Sequence, residues 1–161
     1  MKAVTFEGPL NVEVKDMPDP TIQDANDVIL KVTTAGICGS DVHAYDGRMN
    51  IPATGWSMGH EYIGEVVEVG GDVKNFKKGD RAVGSFVSSC GECYFCTTGW
   101  PSQCAKQQFF GFIVLGGAQA EYLRVPNGHY TLEAADLPGA KPATFFVGPA
   151  RVSSQNDLLL P

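Results

Sequence analysis

Residues 61–73 read "EYIGEVVEVGGDV". The run is rich in β-branched side chains and is stopped by Gly70-Gly71, the pattern of a strand closed by a turn. Upstream, residues 27–36, "DVILKVTTAG", predict a further strand ending at a glycine. Downstream, residues 80–87, "DRAVGSFV", predict a third, interrupted by Gly84. Residues 118–126, "AQAEYLRVP", predict a fourth, closed by Pro126. Near the start, residues 1–6 and 10–15 flank "EGP", a hairpin-turn sequence. Only residues 40–47, "SDVHAYDG", suggest a helix, with Ser40 as its N-cap and Asp41 suited to the positive end of the helix dipole.

Composition agrees with this pattern. Nineteen glycines and ten prolines make up about 18% of 161 residues, against a usual ~12%. Such turn density favours many short strands over long helices. The expected fold is mostly β: a partly open barrel with short helices and long functional loops. Residues 1–135 read as one domain. Residues 136–161 read as an irregular tail or the beginning of a further domain, because four prolines and no clean periodicity follow Leu137.

The formal charge of −6 leaves no basic field to displace counterions from phosphate, which argues against a nucleic-acid partner. Lys74, Lys77 and Lys78 read as a solvated loop. No apolar run approaches the ~20 residues of a membrane span, and "MKAVTFEGPLNVEV" lacks the core of a secretory signal. A cytoplasmic, reducing setting is therefore expected.

Four of the five cysteines lie in residues 90–104, "CGECYFCTTGWPSQC". A disulfide is disfavoured in a reducing compartment and stabilises by only ~2–4 kcal/mol. Thiolate-bound zinc supplies an apparent ~10–16 kcal/mol in small modules. The two-residue gaps let Cys90, Cys93 and Cys96 converge on one ion, and the longer gap lets the chain loop back with Cys104 to close a tetrahedron. A closed structural zinc site is the leading reading. A redox dithiol and an iron–sulfur cluster are the alternatives.

The fifth cysteine, Cys38, ends a predicted strand at a Gly-rich turn, and His60 precedes another strand beside Gly59. In isolation Cys38 reads as a small buried hydrophobe and His60 as a core histidine. Together, on loops held by a rigid barrel, they become candidate metal ligands. Trp56 and Phe86 read as core aromatics or as pocket walls.

In order along the chain, "GICGSDVHAYDG", "GHEYIGEVVEVG", "KKGDRAV", the four-cysteine lobe and "GGAQAEYLRVP" resemble zinc-dependent medium-chain alcohol dehydrogenases over roughly residues 1–130. The resemblance implies a GroES-like catalytic domain. It implies that Cys38 and His60 bind a catalytic zinc, that Glu61 lies beside the metal and can enter its coordination, and that Cys90, Cys93, Cys96 and Cys104 hold a structural zinc. Ser40 matches the hydroxyl that passes on the alcohol proton, and His43 the outer member of that relay. Asp41 matches the carboxylate that orients the metal-bound histidine. Otherwise Ser40 is a helix cap and His43 a surface histidine.

The resemblance also implies NAD(P), held by a Gly-rich turn opening a helix. "GGAQAEY" leads into a predicted strand and "EVGGDV" lies between strands, so neither qualifies. The third protein ligand of the catalytic metal lies near or beyond this end in the family, and Asp157 is a weak match. The expectation is a dehydrogenase half that handles an alcohol or aldehyde, inactive without a cofactor-binding half. It should bind its structural zinc well and its catalytic zinc poorly. A free-standing zinc-binding module and a thiol redox protein are the alternatives.

Overall fold

A computed structural model describes residues 1–134 of the chain. The expected boundary after residue 135, the tail 136–161 and Asp157 lie outside those residues. The described part is mostly β. Strands β1 (Lys2–Gly8) and β2 (Asn11–Asp16) form the expected hairpin, and β4 (Trp56–Ser57) adds to the other edge of β1. Five strands make the main sheet, in the order β10 (Leu132–Ala134), β6 (Arg81–Gly84), β5 (Tyr62–Val69), β3 (Val28–Ala35), β9 (Tyr122–Val125). The two sheets are stitched at β1. The Val4 N–H donates to the Gln119 carbonyl, the Glu121 N–H donates to the Lys2 carbonyl, and Ala3 bridges to Ala120. The result is a partly open barrel.

The β-branched runs form strands because one face of each is buried. Val28, Leu30, Val66, Phe110, Leu123 and Val125 are closed off inside the main sheet. Each contributes about 1.5–3 kcal/mol of burial. A second apolar cluster, Phe6, Ala44, Trp56 and Met58, seats the helix α1 (Gly39–Tyr45) against β1 and β4. Trp56 is thus a core aromatic. Lys74, Lys77 and Lys78 lie in the loop between β5 and β6, as expected.

One expectation is corrected at α1. The N-cap is Cys38, not Ser40, and Asp41 reaches back to accept the Cys38 N–H at 2.8 Å. The carboxylate at the third helical position thus takes the reciprocal bond of a capping box, and the Ser40 hydroxyl, inside the first turn, lies at His60 instead. Three short strands, β4, β8 (Gln108–Phe109) and β10, and two one-turn helices, α2 (Tyr94–Thr97) and α3 (Gly128–Thr131), lie outside the stretches that the sequence marked as strand or helix.

The Cys-rich segment hangs from a small ladder of its own, β7 (Val87–Ser88) against β8 (Gln108–Phe109). Between them lie the four-residue helix α2 (Tyr94–Thr97) and one 3₁₀ turn (Pro101–Gln103). The Ser89 N–H donates to Thr131 Oγ1 at 3.2 Å and anchors the base of the lobe to the barrel.

Candidate metal centre

Antiparallel pairing of β3 with β5 sets Ala35 opposite Tyr62. The chain just past β3 therefore meets the chain just before β5, and the Gly36 N–H donates to the Glu61 carbonyl at 2.9 Å. That register brings Cys38 to His60 and Glu61 across more than twenty residues of sequence. The Cys38 sulfur, a ring nitrogen of His60 and a carboxylate oxygen of Glu61 lie within 4.8 Å of one another. Pairing of β5 with β6 sets Tyr62 opposite Gly84, which carries Phe86 towards the same place. The Phe86 ring lies edge-on to His60 at 6.5 Å, and Phe112 stacks on it at 6.3 Å.

His60 is 7% exposed and Asp41 6%. Their closest approach, Nδ1 to Oδ1, is 3.7 Å, and Nδ1 has no hydrogen-bond partner. On the other side of the ring, Ser40 Oγ stands 3.3 Å from Nε2. A proton on Nδ1 points towards the carboxylate and leaves the Nε2 lone pair on the side of Ser40. A soft thiolate, an imidazole and a hard carboxylate converging at the mouth of a barrel form a donor set suited to zinc. Asp41 sits where it can orient the imidazole. His43 is exposed on α1, and among the described residues no hydrogen bond joins its ring to Ser40.

In the lobe, all four sulfurs lie within 4.8 Å of one another. Cys93–Cys96 and Cys90–Cys104 are each separated by 3.5 Å, and Cys93–Cys104 by 4.0 Å. Disulfide sulfurs lie about 2.0 Å apart. The corners of a tetrahedron with Zn–S bonds of about 2.3 Å lie roughly 3.8 Å apart, so these separations fit one ion. An iron–sulfur cage would hold its thiolates farther apart. Backbone donors favour the anionic state at one corner: the N–H groups of Cys96 and Ala105 lower the Cys93 pKa to about 6. Burial works against ionisation at Cys90, yet the N–H groups of Glu92 and Cys93 outweigh it and its pKa is lowered. Burial, with Cys93 alongside, pushes Cys96 up to about 12.

The site also contains residues that the sequence did not single out. Phe112 stacks on both His60 and Trp56. The Gln119 side chain donates to the Gly36 carbonyl at 3.2 Å. Neither carries a metal-ligand or acid–base signature, so only the folded contacts reveal them.

This barrel and lobe match known proteins. Residues 24–136 match the alcohol dehydrogenase GroES-like domain, and the chain belongs to that family. Zinc-type alcohol dehydrogenase B of Aspergillus flavus is 49% identical over 135 residues, covering 84% of this chain and 31% of its own length. An uncharacterized zinc-type alcohol dehydrogenase-like protein of Bacillus subtilis is 44% identical, covering 81% and 38%. Among solved structures, the alcohol dehydrogenase TADH of Thermus sp. ATN1 superposes with a TM-score of 0.79 at 38% identity, covering 83% of this chain and 40% of that one. The chain thus spans about a third to two fifths of the length of these relatives. No helix among the described residues is long and apolar enough to cross a membrane.

Proposed function

We propose that this chain is the zinc-binding half of an NAD(P)-linked alcohol dehydrogenase, interconverting an alcohol and its aldehyde or ketone. The observation that carries the reading is the convergence of Cys38, His60 and Glu61, together with a separate convergence of four sulfurs in the lobe. Cys90, Cys93, Cys96 and Cys104 would hold a structural zinc, and Cys38, His60 and Glu61 the catalytic one. Zinc bound there lowers the pKa of an alcohol and polarises a carbonyl. Asp41, 3.7 Å from Nδ1, would favour the His60 tautomer that keeps Nε2 unprotonated. The Ser40 hydroxyl borders the donor set, takes the alcohol proton at Oγ and passes its own proton outward. His43, exposed on the same helix three residues on, exchanges that proton with solvent. Phe86 and Phe112 exclude water from one side of His60.

All strand pairings among the described residues are antiparallel, and none forms the parallel strand–helix–strand unit that holds a dinucleotide. The nicotinamide would be held by sequence outside these residues or by another chain. The five free thiols suit a reducing, cytoplasmic setting.

Metal analysis of the purified chain tests the reading. The expected result is close to one tightly held zinc, plus a second that exchanges readily, because the second set offers three donors. Cys93→Ser should lose the tight zinc and lower the thermal midpoint. Cys38→Ser should lose only the exchangeable metal. A chain carrying no zinc, or two zincs of equal tightness, would refute the proposal.

A further inference from the structure

We propose that Gln119 is a positioning residue that sets the distance between Cys38 and the His60–Glu61 pair. The inference rests on the proposed metal centre and adds to it a residue outside the donor set.

The main chain of Gln119 is fixed on both sides. Its N–H donates to the Met58 carbonyl at 2.8 Å, and its carbonyl accepts the Val4 N–H at 2.8 Å. From that fixed point the side chain spans two turns. Its stem lies flat on Gly59, the residue before His60. A Cβ added at Gly59 would stand 2.6 Å from Gln119 Cγ and 2.8 Å from its backbone nitrogen, and Gly59 has φ +92°. Only glycine therefore permits this approach. Its amide head donates to the Gly36 carbonyl at 3.2 Å, two residues before Cys38.

Gly36 is gripped from two directions, because its N–H already donates to the Glu61 carbonyl. The Glu61 carboxylate lies over the same residue, and a Cβ on Gly36 would collide with its Oε2. The turn that bears Cys38 and the turn that bears His60 and Glu61 thus share one strut. Its length is the length of a glutamine side chain. The donors come from separate strands, and their spacing before a metal arrives determines how much ordering the metal must impose. With the Gln119 hydrogen bond lost, the Gly36 carbonyl loses its restraint and only the Gly36 N–H bond to Glu61 ties the two turns, so the spacing of the Cys38 sulfur from His60 is less tightly set.

Gln119→Met keeps the stem and removes the donor. Gln119→Asn keeps the amide and shortens it by one methylene, out of reach of Gly36. Each chain is loaded with one equivalent of zinc to fill the lobe and then titrated with Co²⁺, read by thiolate-to-cobalt charge-transfer absorption. Both variants should bind Co²⁺ about 10–100-fold more weakly than the unmutated chain, with an altered band, while retaining the lobe zinc. Cys38→Ser should show no band. If Gln119→Met misfolds, Gln119→Asn decides. Unchanged affinity and band in a folded variant overturn the role of Gln119 and leave the proposed function standing. Equal weakening of the lobe zinc also overturns it, since that would mark a general structural role. No band in the unmutated chain overturns the metal centre itself, and the inference with it.

Discussion

Asp41 divides its carboxylate between two tasks. One oxygen accepts the Cys38 N–H and starts α1, and the other faces the buried Nδ1 of His60. Substitutions separate the two. Asn at this position still accepts the N–H but removes the charge beside the imidazole. Asp41→Asn should therefore keep the thermal midpoint within a few degrees while weakening metal at the Cys38 site by about 10-fold. Asp41→Ala loses both roles and should cost roughly 1 kcal/mol of stability in addition. Denaturation curves and competition with a chelating dye read the two effects. Equal metal affinity in Asp41→Asn and the unmutated chain would remove Asp41 from the site. The sequence marked Asp41 through its place in "GSDVHAYDG" but misplaced the cap. Ser40 and Asp41 satisfy helix-start preferences and Cys38 does not, so only the extended backbone at Cys38 reveals the cap.

The elements that carry the donors depend on a buried ion pair linking β3 to β9. Asp27 is fully buried at the start of β3, where the Gln23 and Asp24 N–H groups each donate to Oδ2 at 2.9 Å. Arg124 on β9 closes the set, its Nε 2.7 Å from Oδ2 and its terminal nitrogen 3.3 Å from Oδ1. Removing the carboxylate leaves the Gln23 and Asp24 N–H groups and the half-buried Arg124 guanidinium without their shared acceptor. Asp27→Ala should therefore destabilise by about 3 kcal/mol, measured by urea unfolding. Arg124→Ala should also destabilise, and a double variant should cost less than the two single changes added together. A cost near zero for Asp27→Ala would mean that the pair adds nothing. The strands themselves were legible because β-branched runs bounded by glycine admit few other folds. The Asp27–Arg124 pair was not, since an Asp before one strand and an Arg in another look like ordinary surface charges until the register of β3 against β9 is known. The same limit hid Gln119, whose partners Met58 and Gly36 lie 61 and 83 residues away. The clustering of the lobe's sulfurs was legible because its four cysteines sit within fifteen consecutive residues.

Across the described chain, barrel and lobe differ in what holds them. The barrel closes two apolar clusters. Within the lobe, α2 and the 3₁₀ turn bury none of their residues, and Tyr94, Phe95 and Trp100 stand exposed. Cys104 is the sole buried position among residues 90–104. With so little apolar area withdrawn from water, the proposed structural zinc would supply most of what offsets the conformational entropy of the lobe. Chelation at 25 °C should therefore open the lobe and leave the barrel standing. The two tryptophans report separately, because Trp56 lies in the barrel core and Trp100 is 65% exposed in the lobe. In a Trp56→Phe background, Trp100 emission should change on metal removal, while the far-UV circular dichroism of the strands changes little. Limited proteolysis should then cut between residues 90 and 107 and spare the strands. Global unfolding on chelation would instead show that the β7–β8 ladder and the Ser89–Thr131 anchor transmit the loss of the metal into the barrel.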